Sequence, residues 1–589
     1  MSNRNNGLFP YLPAMVLSRI AETPAFPTEP TTEDHIVTAL FADISGFTSL
    51  TEKLAARGPQ GVETLSRIFN EYFGRLTDQI TQHGGDIVNF AGDSLLAVWK
   101  IENPIERETF ARIVTQCAQQ LQKEASNYDS GIDAKLSMRI GVGIGNARAS
   151  YLGGFKNKWE FLLTGSAIEQ AHAAEKKAAP GEIILDQDIW ALIKNINGIQ
   201  GNEGNGYTRL VNIPSTSISA PAMLPTLADG SEKSLQGFIS PAIQSWLAAE
   251  QIDWLAELRR VTTLFINLGN FNSETSLAHS TKVIHAIQEA AAHFEGNVNE
   301  IGMDEKGASP LVTFGVHPLA HEDDPLRGVM AAQEISKRLT ELGQPHSIGI
   351  TTGRVFCGVI GGSSRREYAI LGDAVNTAAR FMQAAASSTY SIHILCDSTT
   401  QQIARSKLRF SALEPIQLKG KSEAVAVFHP EFDSDSSKQT HHNNSFVGRG
   451  AEKQIIRDAL LQASKEEDAR VIILEGEAGI GKSRLVEYSQ ETAGEFEAAY
   501  FACSGDAVEK NTSYFGWRNV FRQLLGVETA KDANERREQI LEGLSETWRE
   551  RAALLNPILG VDFEEPYFLQ EMSGEVRAEN VRALFVDLL

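Results

Sequence analysis

The fold turns on two stretches, IVTALFADISGFTSL at 36–50 and DIVNFAGDSLLAVW at 86–99. The first holds a short, β-branched apolar run over 37–42 that suits a buried strand and delivers Asp43 at its end. The second reads as two strands, 86–90 and 94–99, around a turn at Ala91-Gly92-Asp93. Between them, 63–82 carries Leu65, Ile68, Phe69, Tyr72, Phe73, Leu76 and Ile80 at helical spacing, and His83-Gly84-Gly85 stops it. Strand, helix and hairpin in that order predict an α+β domain with a largely antiparallel sheet.

The pattern occurs twice. RVTTLFINLGNFNS at 260–273 matches the first strand, HSIGITTGRV at 346–355 matches MRIGVGIGNA at 138–147, and YAILGDAVNTAA at 368–379 matches FLLTGSAIEQAH at 161–172. One chance match is unremarkable, but three in the same order at a nearly constant offset mark a duplication. The expected organisation is an N-terminal arm over 1–32, a first domain over 33–200 and a second over 255–430. A Gly, Pro, Ser and Asn-rich linker spans 201–254, and a polar linker, DSDSSKQTHHNNS, lies within 431–445. The apolar but proline-broken stretch 8–20 reads as a packing arm.

A third unit of a different kind occupies 446–589. There a strand-like run at 470–474 leads into GEAGIGKS, a full Walker A motif with Gly476, Gly479, Gly481, Lys482 and Ser483, followed by a helix over 484–495. This context predicts an α/β P-loop domain, incomplete within this chain, whose amides cradle phosphates while Lys482 and Ser483 serve Mg-ATP. No convincing Walker B strand follows, because ALFVDLL at 583–589 reads better as a helix. Hydrolysis is therefore not expected of this unit.

Composition narrows the partners. A net charge of -21 leaves no basic surplus for nucleic acid or an anionic membrane, while a nucleotide with metal ions remains compatible. No run approaches the roughly 18 apolar residues that cross a bilayer. Cys117, Cys357, Cys396 and Cys503 are far apart and form no CxxC pair, which fits a reducing cytoplasm.

Asp43 at a strand end and Asp93 in the hairpin turn are two carboxylates that adjacent strands can bring together. Such a pair repels itself unless cations bridge it, which points to Mg²⁺ or Mn²⁺. With FADISGFT, NFAGDSLLAVW and ILGDAVNTAAR quoted in full, the chain resembles the class III nucleotidyl cyclases. Within them it resembles the tandem cyclase domains and P-loop domain of the soluble, bicarbonate-responsive adenylyl cyclases. Palm-type polymerases and GGDEF enzymes also pair acids on a related sheet, but here Gly84-Gly85-Asp86 lacks the following Glu-Phe.

The resemblance implies two ferredoxin-like domains forming an intramolecular pseudo-dimer, ATP as substrate, two metal ions and one complete site between the halves. Asp43, Asp93 and the Ile44 carbonyl would hold the metals. Asn376 would orient the ribose and Arg380 would stabilise the reacting phosphate. Arg139 and Lys419 would hold the terminal phosphates. The second copy has Asn267 in place of Asp43, and the first has Glu169 and Ala173 in place of Asn376 and Arg380, so the other site is degenerate.

Two sets of positions depart from the family. The base-selecting Lys and its Thr, Ser or Asp partner fall at Glu300 and Ala369, with Lys306 nearby. Overall resemblance favours adenine, whereas an ionised Glu300 suits guanine. The regulatory Lys and Arg fall at Asn89 and His172, so bicarbonate sensing is not expected. Beside the adenylate cyclase reading stand a cyclase of relaxed or guanine selectivity and a catalytically silent nucleotide-binding scaffold.

Overall fold

The computed structural model describes residues 7–45, 50, 54, 59–92, 94–127, 136–215, 225–228, 230–248, 256–304, 307–316, 319–321, 323–387, 393–405, 407–418, 423–431, 449–463, 471–475, 482–496, 498–501, 503, 514–527, 533–559, 561, 563–570, 572 and 574–588. The chain divides into two compact units, Met1–Phe432 and Asp433–Leu589.

The first unit contains two sheets of the same design. Strands β1 (Thr31–Ser45), β2 (Asp86–Ala91), β3 (Ser94–Ile101), β4 (Ser137–Gly153), β5 (Trp159–Thr164), β6 (Ile183–Asp186), β7 (Gln200–Gly204) and β8 (Tyr207–Asn212) lie in the order β2-β3-β1-β4-β6-β8-β7, with β5 paired to β4. The second sheet repeats this with β9 (Ala256–Gly269), β10 (Asn297–Asp304), β11 (Gly307–Phe314), β12 (His346–Gly361), β13 (Arg366–Leu371), β14 (Ile394–Cys396), β15 (Arg409–Ile416) and β16 (Val425–Glu431). Its order is β10-β11-β9-β12-β14-β16-β15, with β13 paired to β12. Even the irregularities agree: β2 bulges between Ile87 and Asn89, and β10 between Val298 and Glu300.

Two strands lie where a linker was expected. β7 and β8 carry the first sheet on to Asn212, past the boundary read at 200. The turn between them is Asn205-Gly206, both at positive φ, 52° and 79°. Asn-Gly is the residue pair that a tight hairpin demands, so a composition that suggested a linker in fact encodes a turn.

The arm is tied down. Helix α1 (Ala14–Glu22) buries Val16, Leu17 and Ile20, and Pro13 offers no side chain to cap it. The Asp86 carboxylate at the start of β2 serves instead, accepting from Ala14 N at 2.7 Å and Met15 N at 2.8 Å.

The domains exchange helices. Helix α2 (Pro59–Gln82), from the first domain, packs on β12 and β9, and α4 (Leu277–His293), from the second, packs on β4. The apolar stripe of α2 is fully buried, and Phe69 meets Phe356 edge-on at 5.2 Å. Other helices lie on their own sheets, among them α3 (Ser166–Glu175) on β4 and α5 (Asp373–Ala385) on β12. Equivalent glycines, Gly141 and Gly349, permit this approach. A Cβ on Gly141 would collide with the Ala171 carbonyl and the Glu175 amide, and one on Gly349 with the Ala378 carbonyl and the Met382 amide.

In the second unit, Phe521, Ile540, Leu554 and Leu584 share one core, and Phe521 stacks on Phe585 at 3.9 Å. A helix over Lys482–Glu495 begins at the Walker lysine, and 574–588 is helical, as read from sequence. The run Val471–Leu474 does not form the expected strand, and Val471 and Ile473 are exposed. A strand needs a neighbour to take up its backbone groups, and none of the described residues in this unit is in a strand. Gly476, Gly479, Gly481, His441 and His442 lie outside the described residues. No described helix is long and apolar enough to cross a membrane.

The glycine contact yields a test. Gly349→Ala sets a methyl group against helix backbone, which cannot rotate aside, so it should cost ~1–3 kcal/mol of stability in urea denaturation. Gly204→Ala, with nothing within 4 Å of its would-be Cβ, should differ little from wild type. Equal stability of all three proteins would refute the close-approach account.

Candidate active site

Register brings the first charged pair together. Asp43 on β1 faces Arg139 on β4 and Ser94 on β3. The Arg139 guanidinium clasps Asp43 Oδ2, its Nε standing at 3.2 Å, and Ser94 Oγ donates to Asp43 Oδ1 at 3.0 Å. Arg139 Nε also lies 3.2 Å from Oε1 of the buried Glu175, at the end of α3. Sequence reading placed Arg139 on the terminal phosphates; in this structure it is spent on Asp43. Ser94 and Glu175 were not singled out from sequence. Only strand register reveals the first, because Ser94 is one of many serines until it is set opposite Asp43.

This geometry bears on the implied metals. A guanidinium already stands against Asp43, so the position attracts a cation. The carboxylate and the adjacent Ile44 carbonyl are the hard oxygen donors that Mg²⁺ or Mn²⁺ prefer. Ile44 itself is fully buried, leaving only its main chain for such a role. Asp93 and Lys419 lie outside the described residues, as does Lys306. Among the described residues no cluster of three or more His, Cys, Asp or Glu forms a ready cation cage.

Asn376 and Arg380 sit one turn apart on α5, both half-buried, on the helix that Gly349 admits to the sheet. The matching turn of α3 carries Glu169 and Ala173. On β12, Ser347 stands opposite Asn267, where the first domain has Arg139 opposite Asp43. At these two matching positions the second sheet thus has neither carboxylate nor guanidinium.

A cavity of about 320 Å³ lies between the domains. It brings together Asn89, His172 and Glu300, walled by aromatic side chains such as Phe41 and Phe265. Asp43, Arg139, Asn376, Arg380 and Ala369 do not line it. Glu300 and Ala369 are therefore not brought together there: Ala369 belongs to the core shared with α2, while its strand neighbour Tyr368 faces the cavity.

Three carboxyl groups line this space. Burial, with the Glu367 carboxylate beside it, pushes Glu300 up to about 8. Burial raises Glu367 as well, against the pull of Arg365 and a hydrogen bond from Phe90 N. Burial raises Glu160 to about 7, opposed by Gln288 and Lys158. Asn89 and His172 therefore share the cavity with Glu160, Glu300 and Glu367, a setting that disfavours an anion.

Fold and site define an internally duplicated pseudo-dimer in which each half carries what the other lacks. The chain belongs to the adenylate and guanylate cyclase family, whose catalytic domain matches residues 29–206 and 255–429. An AAA ATPase domain matches 445–586. The chain is 26% identical to adenylate cyclase type 10 of Oryctolagus cuniculus, over 96% of this chain and 37% of that protein. It is 24% identical to adenylate cyclase type 10 of Homo sapiens, over 93% of this chain and 36% of that protein. It thus spans little more than a third of these relatives. Among solved structures it is similar to a class III adenylyl cyclase-like ATP-binding protein from Pseudomonas aeruginosa, at 13% identity and a TM-score of 0.44, covering 66% of this chain and 92% of that one.

Glu300 makes stability depend on pH. Its folded value of about 8 exceeds the ordinary 4.5, so the folded state holds a proton that the unfolded state releases. That contribution is complete below about 4.5 and lost as pH rises through about 8. Glu300→Gln should therefore match wild type in unfolding free energy near pH 4.5 and exceed it increasingly towards pH 8, at up to ~1.4 kcal/mol per pH unit. A constant difference across that range would show that Glu300 titrates as a solvated carboxyl.

Proposed function

We propose that this chain is an adenylate cyclase, converting ATP to cyclic AMP and pyrophosphate at one site built by both domains. The observation that carries the reading is the complementary asymmetry of the two halves. The first domain has Asp43 with Arg139 where the second has Asn267 with Ser347, and the second has Asn376 and Arg380 where the first has Glu169 and Ala173. The family relationship supports the same reaction class.

A pair of divalent cations, when bound, supplies Lewis-acid activation of the ribose 3′-hydroxyl and offsets phosphate charge. Asp43, Asp93 and the Ile44 carbonyl would hold it. Asn376 would orient the ribose so that the 3′-oxygen stands in line with the α-phosphorus. Arg380 would donate to the oxygens that gain charge as that bond forms and pyrophosphate leaves. Arg139, exchanging Asp43 for the triphosphate, would hold the terminal phosphates with Lys419. In the second unit, Lys482 and Ser483 are assigned to binding Mg-ATP, and no hydrolysis is assigned.

The state of Glu300 supports adenine. A carboxyl that titrates near 8 is mostly protonated at neutral pH. Its O–H can donate to adenine N1 while its carbonyl oxygen accepts from the N6 amino group. An ionised Glu300 would instead repel N1 and suit the N1 and N2 donors of guanine.

The decisive assay supplies the purified chain with Mg²⁺ or Mn²⁺ and either ATP or GTP, and quantifies both cyclic products. Cyclic AMP should dominate at pH 7, and Asp43→Asn or Arg380→Ala should each lower kcat by ~10²-fold or more. Near-normal turnover in either variant would remove that residue from the site.

The base reading is tested by pH. The ratio of kcat/KM for ATP over GTP should fall as pH rises through about 8, where Glu300 ionises. Glu300→Gln keeps one donor and one acceptor, so it should retain the preference for ATP and lose the pH dependence. A flat wild-type ratio would show that Glu300 does not read the base.

A further inference from the structure

β2 is an edge strand, so one side of its backbone has no strand to pair with. Two side chains of the second domain take that side. Arg365, only 6% exposed, donates from Nε to the Ile87 carbonyl at 3.0 Å and from Nη2 to the Val88 carbonyl at 3.1 Å. Its Nη1 reaches the Pro10 carbonyl of the arm at 3.4 Å and also bonds the Arg366 carbonyl. Nη2 pairs with Glu367 Oε2 at 3.2 Å, and that same oxygen accepts from Phe90 N at 3.1 Å. The contacts fall on the bulge between Ile87 and Asn89. Beyond the turn, β3 opens with Ser94, whose hydroxyl holds Asp43.

The duplication supplies an internal control. Lys158 and Glu160 stand before and at the start of β5 as Arg365 and Glu367 do for β13. Yet Lys158 Nζ donates to the Ile239 carbonyl at 2.8 Å, outside the sheet, and Glu160 accepts from Gln288 Nε2 at 3.0 Å. The guanidinium therefore grips the hairpin that serves Asp43, while the lysine is held by the Ile239 carbonyl and grips no strand edge. A guanidinium presents five donors in a rigid fork and can span several carbonyls of one strand; an ammonium is a point charge that cannot.

We infer that Arg365 is a positioning residue for the Asp43 site: it fixes the β2–β3 hairpin against the second domain, so that Ser94 and Asp43 stand ready for a divalent cation. The inference rests on the cyclase reading above. A cation site tolerates displacements of only a few tenths of an ångström, so a hairpin left free at its edge would bind metal poorly even with every ligand present.

The test measures Mn²⁺ binding by electron paramagnetic resonance, in the full chain with a non-cyclising ATP analogue, alongside turnover. Arg365→Lys should weaken Mn²⁺ binding and lower kcat by about tenfold or more, with the nucleotide KM changed far less. Lys158→Arg, the mirror substitution, should leave both at wild-type values. Asp43-dependent Mn²⁺ binding that survives Arg365→Lys unchanged overturns this inference alone. A wild-type chain without Asp43-dependent Mn²⁺ binding and without cyclic product overturns the cyclase reading and this role with it. Should the variant not fold, hydrogen exchange in the wild-type chain decides: a Phe90 amide as slow as those inside the sheet supports the clasp, and one as fast as an open edge overturns it.

Discussion

Each cyclase domain lends a helix to the sheet of the other. Helix α2 of the first domain closes over β9 and β12 of the second, and α4 of the second closes over β4 of the first. That exchange sets everything downstream. It makes Phe69 and Phe356 members of one core, creates the cavity shared by Asn89, His172 and Glu300, and lets Arg365 reach a strand of the other domain. Once each half depends on the other for burial, the two copies need not remain equal. The residue pairs Asp43/Asn267 and Arg380/Ala173 are where the copies differ; in the reading proposed here, a side chain lost from one is supplied by its counterpart across the interface.

The duplication was legible because it rests on local chemistry. Apolar alternation, the helical spacing in α2 and the glycines at 141 and 349 each leave a pattern in the chain itself. Partnerships across strands do not. The family resemblance assigns Arg139 to the terminal phosphates, but its hold on Asp43 depends on the β1–β4 register. Glu300 and Ala369 could be aligned to family positions, yet only strand alternation puts one into the cavity and the other into the core. The linker expected over 201–254 gives way to strands as far as Asn212 for a related reason. Gly and Asn there suggest softness by composition, whereas Asn205-Gly206 forms a tight turn. The run at 471–474 shows the converse: strand-forming residues make no strand without a neighbour.

Electrostatics in the cavity follow from what replaced the family's cations. With Asn89 and His172 on its wall and Glu160, Glu300 and Glu367 around it, burial acts on carboxyl groups with little positive charge to oppose it. Among the described residues the one guanidinium lining the space, Arg365, is already committed to the carbonyls of β2 and to Glu367. Glu300 is therefore pushed up to about 8 and Glu160 to about 7, while burial raises Glu367 in the same direction.

The arm that β2 holds through Asp86 also shapes how the first unit reaches its fold. Pro10 is bonded by Arg365, a partner 355 residues further along the chain. During synthesis the arm emerges before the first domain, and that partner emerges only after the whole first domain and much of the second. Asp86 can cap α1 once the first domain forms, but the Pro10–Arg365 contact closes a far longer loop, which makes the last step of arm docking a late event. Until then Tyr11 and Leu12 lack the cover that the assembled interface gives them, and the nascent first domain exposes the apolar surface on which they will rest. Chaperone binding and misassociation between ribosome-bound chains should concentrate in that interval, before the second domain closes over the first.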